Sequence, residues 1–84
     1  MKQIKTIEEL KELASTPDGL ECSITLNGGI TSSKHIWYSD RRKVFNIVNF
    51  IDSTDQELSE RELFDNNLTN IGEALNLGAL YKYE

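Results

Sequence analysis

One cysteine among 84 residues excludes an internal disulfide framework. One histidine leaves acid–base chemistry a single imidazole, and no spacing marks a partner that would orient it. No apolar run approaches the ~20 residues of a membrane-spanning helix, and no apolar secretory segment opens the chain. Repeats, low-complexity tracts and linkers are lacking too. The expectation is a cytoplasmic, reduced setting, no membrane contact, and one domain over residues 1–84, since a chain of this size builds one core. An apolar fraction of 38% and a charged fraction of 27% belong to an ordinary folded domain.

Positive charge is scarce, and the net charge of -5 is unevenly spread. Residues 20–51 carry Lys34, Arg41, Arg42 and Lys43 against Glu21 and Asp40; residues 52–84 carry eight carboxylates against Arg61 and Lys82. Such a split either marks a charged partner or is only a well-solvated surface.

Thr6-Ile7-Glu8-Glu9 opens a first helix as a capping box, with acidic residues in the first turn where the helix dipole favours anions. Ile7, Leu10, Leu13 and Ala14 form its apolar stripe, and Pro17-Asp18-Gly19 ends it. A strand follows, with Leu20, Cys22, Ile24 and Leu26 on one face and Glu21, Ser23 and Thr25 on the other. Asn27-Gly28-Gly29 turns the chain in either of two ways. A two-residue loop pairs Leu26 with Gly29; a three-residue loop pairs Leu26 with Ile30 and Leu20 with Ile36. Shifting by one residue flips every side chain, and the three-residue loop gathers more of the apolar residues on one side. With Asp40-Arg41 as the next turn, Ile30, Ile36, Phe45, Ile47 and Ile51 join the first strand's apolar face. Trp37, Val44, Val48 and Phe50 then form a second apolar cluster on the opposite face.

Beyond a turn over 52–55, Gln56-Glu57-Leu58 suits a short fourth strand. Ser59-Glu60-Arg61-Glu62 is a second capping box before a short helix with Leu63 and Phe64 turned inward. Asn70-Ile71-Gly72-Glu73 caps a third helix, Gly78 suits its C-terminal stop, and residues 79–83 alternate like an edge strand. The fold class is therefore α+β: an N-terminal helix, a three- to four-stranded antiparallel meander, and two short C-terminal helices packed on the sheet.

Catalytic and metal motifs fare poorly. Cys22 points into the core, where a thiol is inert packing. His35 is best taken as an exposed strand residue. Gly28-Gly29 with Ser32-Ser33-Lys34 lacks phosphate-loop spacing and a following helix, and in Thr31-Ser32-Ser33-Lys34 a hydroxyl three residues before the lysine on a strand points to the opposite face. Asp52, Asp55 and Glu57 lack the glycine and distant glutamate of a calcium loop. No enzyme activity, no metal and no cofactor is expected.

The runs Leu26-Asn27-Gly28-Gly29 with Ser32-Ser33-Lys34, Ile51-Asp52-x-Thr54-x-Gln56 and Ile71-Gly72-Glu73-Ala74 resemble small bacterial proteins of the kind found in prophages and other mobile elements. That resemblance implies a small stand-alone intracellular accessory protein and transfers no activity to any residue.

Two surfaces remain as candidates. The face of Trp37, Val44, Val48 and Phe50 suits a protein–protein contact with an unknown partner or in a homodimer; otherwise the C-terminal elements cover it. The alternative is a nucleic-acid-binding module using Lys34, Arg41, Arg42 and Lys43 with aromatics interleaved; otherwise these cations form a solvated turn that discourages strand aggregation.

Overall fold

The computed structural model describes residues 2–26, 29–50, 53–65 and 70–83. Along them run β1 (Lys2–Gln3), α1 (Ile7–Ala14), β2 (Leu20–Leu26), β3 (Gly29–Ser39), β4 (Val44–Asn49), β5 (Asp55–Ser59), α2 (Glu60–Asp65), α3 (Ile71–Leu77) and β6 (Leu80–Lys82). The fold is α+β with an antiparallel sheet, as the patterning implies. The sheet is wider than the expected three or four strands: among the described residues it has six, in the order β1-β6-β2-β3-β4-β5.

The added width comes from the two ends of the chain. β6 is not an edge strand: it lies against β2, pairing Ile24 with Leu80 and Cys22 with Lys82, and β1 pairs on its far side. Backbone bonds from Thr25 to the Ala79 carbonyl and from Tyr83 to the Glu21 carbonyl extend the ladder at both ends. A two-residue strand carries too little pattern to be read from the sequence, so β1 was invisible there.

The first hairpin contains both registers that the sequence allows. From Leu20↔Ile36 to Ile24↔Ser32 the strands follow the three-residue-loop register; Thr25↔Ile30 and Leu26↔Gly29 follow the two-residue one. A β-bulge between Ile24 and Thr25 joins them, with Thr31 as the extra residue. The bulge also changes which way Ile30 faces. Expected in the core, it lies beside Thr25 on the opposite face and is 54% exposed. Asn27 and Gly28 themselves, like Ile51, lie outside the described residues.

In the second hairpin the expected Asp40-Arg41 turn is replaced by a four-residue loop over 40–43, closed by Ser39↔Val44 pairing. Lys43 adopts a left-handed conformation (φ 57°) and donates its N–H to the Ser39 carbonyl at 2.7 Å, while the Arg42 N–H reaches the Ser39 hydroxyl at 3.2 Å. The register slides by two residues, so Ile36 meets Ile47 instead of Phe45, and Tyr38 meets Phe45. A slide of two preserves the face of every side chain, which is why the two-faced pattern survives the wrong turn.

The helices close one side. Thr6 accepts the Glu9 N–H at 3.1 Å, though the Glu9 carboxylate reaches back to the Lys5 N–H instead of that of Thr6. The Ser59/Glu62 box is reciprocal, at 3.1 and 3.2 Å. Asn70 begins α3 without a side-chain cap: its backbone is left-handed (φ 58°), and its carbonyl, not its side chain, receives the Ala74 N–H. Gly78 (φ 69°) ends α3, with Ala79 N–H bonded to the Ala74 carbonyl and Gly78 N–H to that of Leu75.

One buried cluster joins Leu10 and Ala14 of α1, Leu63 of α2 and Ile71, Ala74 and Leu75 of α3 to Ile4 and the inward strand residues, Leu20, Cys22, Ile24, Ile36, Phe45, Ile47, Leu58 and Leu80. Phe64 does not join it. In a six-residue helix two adjacent side chains point about 100° apart, so with Leu63 buried Phe64 stays 39% exposed. It lies over Gly72 instead, where α2 and α3 meet. A Cβ on Gly72 would stand 2.5 Å from the Leu63 carbonyl oxygen and 2.7 Å from the Phe64 Cα, both backbone atoms that cannot swing aside. Gly72→Ala is therefore expected to lower stability by about 1–3 kcal/mol. Urea titration checks this, and a midpoint equal to that of the unchanged chain would contradict the close helix approach.

Candidate functional site

Alternation along each strand and pairing between strands divide the sheet into two faces. The strand residues of the buried cluster all share one face, and the helices pack there. The opposite face carries Ser23, Ser33, His35, Trp37, Val44, Asn46, Val48 and Tyr81, with Phe50 just past β4 where its N–H meets the Ser33 carbonyl. None of the helices among the described residues packs on it. The structure thus puts Trp37, Val44, Val48 and Phe50 on one face: the first three are half-buried, and Phe50 is 49% exposed.

At the centre is an aromatic stack. The His35 ring lies parallel to the Trp37 indole at 4.0 Å and 5°, and Phe50 meets His35 edge-on at 6.1 Å. Both β3 rings are tied to the turn after α1. Trp37 Nε1–H donates to the Pro17 carbonyl at 3.2 Å, and His35 Nε2 lies 2.6 Å from the Asp18 carbonyl oxygen. A carbonyl only accepts, so Nε2 carries a proton and donates it there. Gly19 (φ 71°) permits this closeness, since a Cβ there would fall 2.7 Å from Trp37 Nε1. Nothing at sequence level marked His35 as a partner of Trp37. The signal was available in their i, i+2 spacing, which puts both on one strand face.

Neighbouring polar groups are partly satisfied. Ser33 Oγ and Tyr83 Oη share a hydrogen bond of 2.8 Å. Asn46, across from Trp37, has its Oδ1 buried with no hydrogen-bond partner among the described residues.

The four cations of the proposed basic patch do not come together. Lys34 is 4% exposed and lies on the helix-covered face, paired across the ladder with Cys22 and Asn49. Arg42 grips Glu57 with both terminal nitrogens, at 2.9 and 2.5 Å, and this hydrogen bonding raises its pKa. Lys43 binds Asp40 at 2.9 Å, which holds the Asp40 carboxyl below its ordinary range and raises the Lys43 ammonium. Arg41 alone is an exposed arginine of this turn with no ion pair among the described residues. On the helix side, Lys11 pairs with Glu60 and sits 5.5 Å from the Tyr38 ring centre, linking α1, α2 and β3.

Among the described residues no three His, Cys, Asp or Glu side chains gather as metal ligands, and no helix is long and apolar enough to cross a membrane. No family model, curated protein or solved structure matches the chain. The likeness to small prophage-borne proteins gains no support from these comparisons.

Cys22 is fully buried, and loss of water around the thiol pushes its pKa from an ordinary 9.0 up to about 12, only partly offset by the Lys34 ammonium. Because the unfolded chain releases this proton first, the thiol favours the folded state below about pH 9 and draws stability away as pH climbs toward 12. Native protein at pH 8 is expected to resist alkylation that urea-unfolded protein undergoes readily. Labelling followed by mass spectrometry checks this; equal rates in both states would contradict burial of Cys22.

Proposed function

We propose that this chain is a protein–protein interaction module, a small intracellular accessory protein that acts through the open sheet face around Trp37. The observation that carries this is the one-sided placement of the helices. Sheet faces bearing Trp, Val and Phe are ordinarily covered, and contiguous exposed apolar surface on a small protein marks contact sites. The ties from Trp37 and His35 to the turn at Pro17 and Asp18 add to the case, because they hold the aromatic rings in place before any partner arrives. Anchors held in advance lose little conformational freedom on binding.

The nucleic-acid alternative has less support. Lys34 lies buried on the helix-covered face, away from the three cations of the β3–β4 turn, and Arg42 and Lys43 are already engaged by carboxylates. Phosphate binding would first have to break those pairs.

Phe50 is exposed enough to change without disturbing the core. Phe50→Ser is expected to leave unfolding stability within about 0.5 kcal/mol, as for other surface changes, and to abolish association, whether with another protein or in a homodimer. Light scattering at high protein concentration, with affinity capture using wild-type and Phe50→Ser baits, checks this. A monomeric chain whose captured partners are the same for both baits would contradict the proposal.

A further inference from the structure

Building on the interaction face just described, we infer that its occupant is a segment of another protein that combines apolar side chains with lysine or arginine, and is not a second copy of this chain. The inference rests on the charge and hydrogen-bonding character of the face. Among the described strand residues, register places three acidic side chains on it: Glu21 across from His35, Asp55 across from Val48, and Glu57 across from Asn46. All three are carboxylates. Arg42 reaches Glu57 from the turn, but no described cation pairs with Glu21 or Asp55, both of which are exposed. The sheet lysines lie elsewhere, since Lys2, Lys34 and Lys82 follow Cys22 onto the helix-covered side.

Glu21, His35, Val48 and Asp55 form one row across four strands, β2 to β5. An apolar strip with a carboxylate near each end of that row suits a partner whose apolar side chains cover the aromatic stack and whose cations reach outward to both sides. The exposed polar atoms point the same way. The two carboxylates, Glu21 and Asp55, accept hydrogen bonds. Lysine and arginine offer only donors.

A second copy fits badly. A two-fold contact along this row brings the same patch against itself, so Glu21 and Asp55 would meet the partner copy's carboxylates. Like charges in such a contact suppress binding rather than promote it.

Two short amphipathic peptides test the inference, one of leucine and lysine and the other of leucine and glutamate in the same order. Each is titrated into the full chain at low salt while Trp37 emission is followed. The lysine peptide is expected to bind and shift the emission, and the glutamate peptide is not. The double variant Glu21→Lys with Asp55→Lys should bind the lysine peptide about tenfold or more weakly, a loss of about 1.4 kcal/mol, and should gain affinity for the glutamate peptide. Circular dichroism confirms that the variants remain folded. Added salt should weaken wild-type binding to the lysine peptide.

Binding that Phe50→Ser abolishes but charge reversal leaves unchanged would overturn the basic partner and keep the face. So would a wild-type dimer that Phe50→Ser dissociates while neither peptide binds. Charge-dependent binding indifferent to Phe50→Ser would overturn the face itself, and the inference with it. Absence of peptide binding to a monomeric chain would also overturn the inference.

Discussion

The pairing of β2 with β3 sets the orientation of everything else in this fold. Leu20 opposite Ile36, with the same register held to Ile24 opposite Ser32, puts the aliphatic residues of both strands on one side. A displacement of one residue would bring His35 and Trp37 under the helices and Ile36 into water. β4, β5 and β6 then inherit their orientation through the ladder, so Phe45, Ile47, Leu58 and Leu80 all reach one core. The bulge at Ile24/Thr25 confines the conflict between loop and core to the hairpin tip, at the cost of exposing Ile30. Because one side of the sheet is committed to the helices, the other is left with Trp37, Val48 and Phe50.

Electrostatics is organised locally. Arg42 with Glu57, Lys43 with Asp40, Arg61 with Asp65 and Lys11 with Glu60 are all partly or well exposed, and such pairs contribute little to stability. Their larger effect is on what remains. By engaging the cations of the β3–β4 turn, Glu57 and Asp40 remove the feature that made residues 41–43 look like a basic patch. The sheet face opposite the helices carries Glu21 and Asp55, which have no ion pair among the described residues, although residues 20–51 are basic in sequence.

Much of this was legible from the residues alone. Strict alternation in Leu20–Leu26, the box of Ser59 and Glu62, the glycine stop at Gly78 and the two apolar faces of β4 are local properties, and local patterns survive folding. What failed was long-range or finely balanced. Pairing between the chain ends depends on β2 having a free edge, which no nearby residue announces. The Asp40-Arg41 turn competed with a four-residue loop favoured by the Ser39 hydroxyl and a left-handed Lys43, a choice that side-chain bonding decided. Of the candidate site, the apolar quartet was readable from period two. The His35 stack and the burial of Lys34 were not, because each depends on a neighbour supplied by another part of the chain.

Trp37 lies on the sheet face opposite the helices. Trp37 is the only tryptophan, so acrylamide quenching of intrinsic fluorescence reports on it alone. Quenching is expected to be clearly stronger than for an indole in a protein core and weaker than in the urea-unfolded chain, with the same value in Cys22→Ser. Quenching near zero in monomeric protein, with strongly blue-shifted emission, would place Trp37 in a sealed interior and contradict the account.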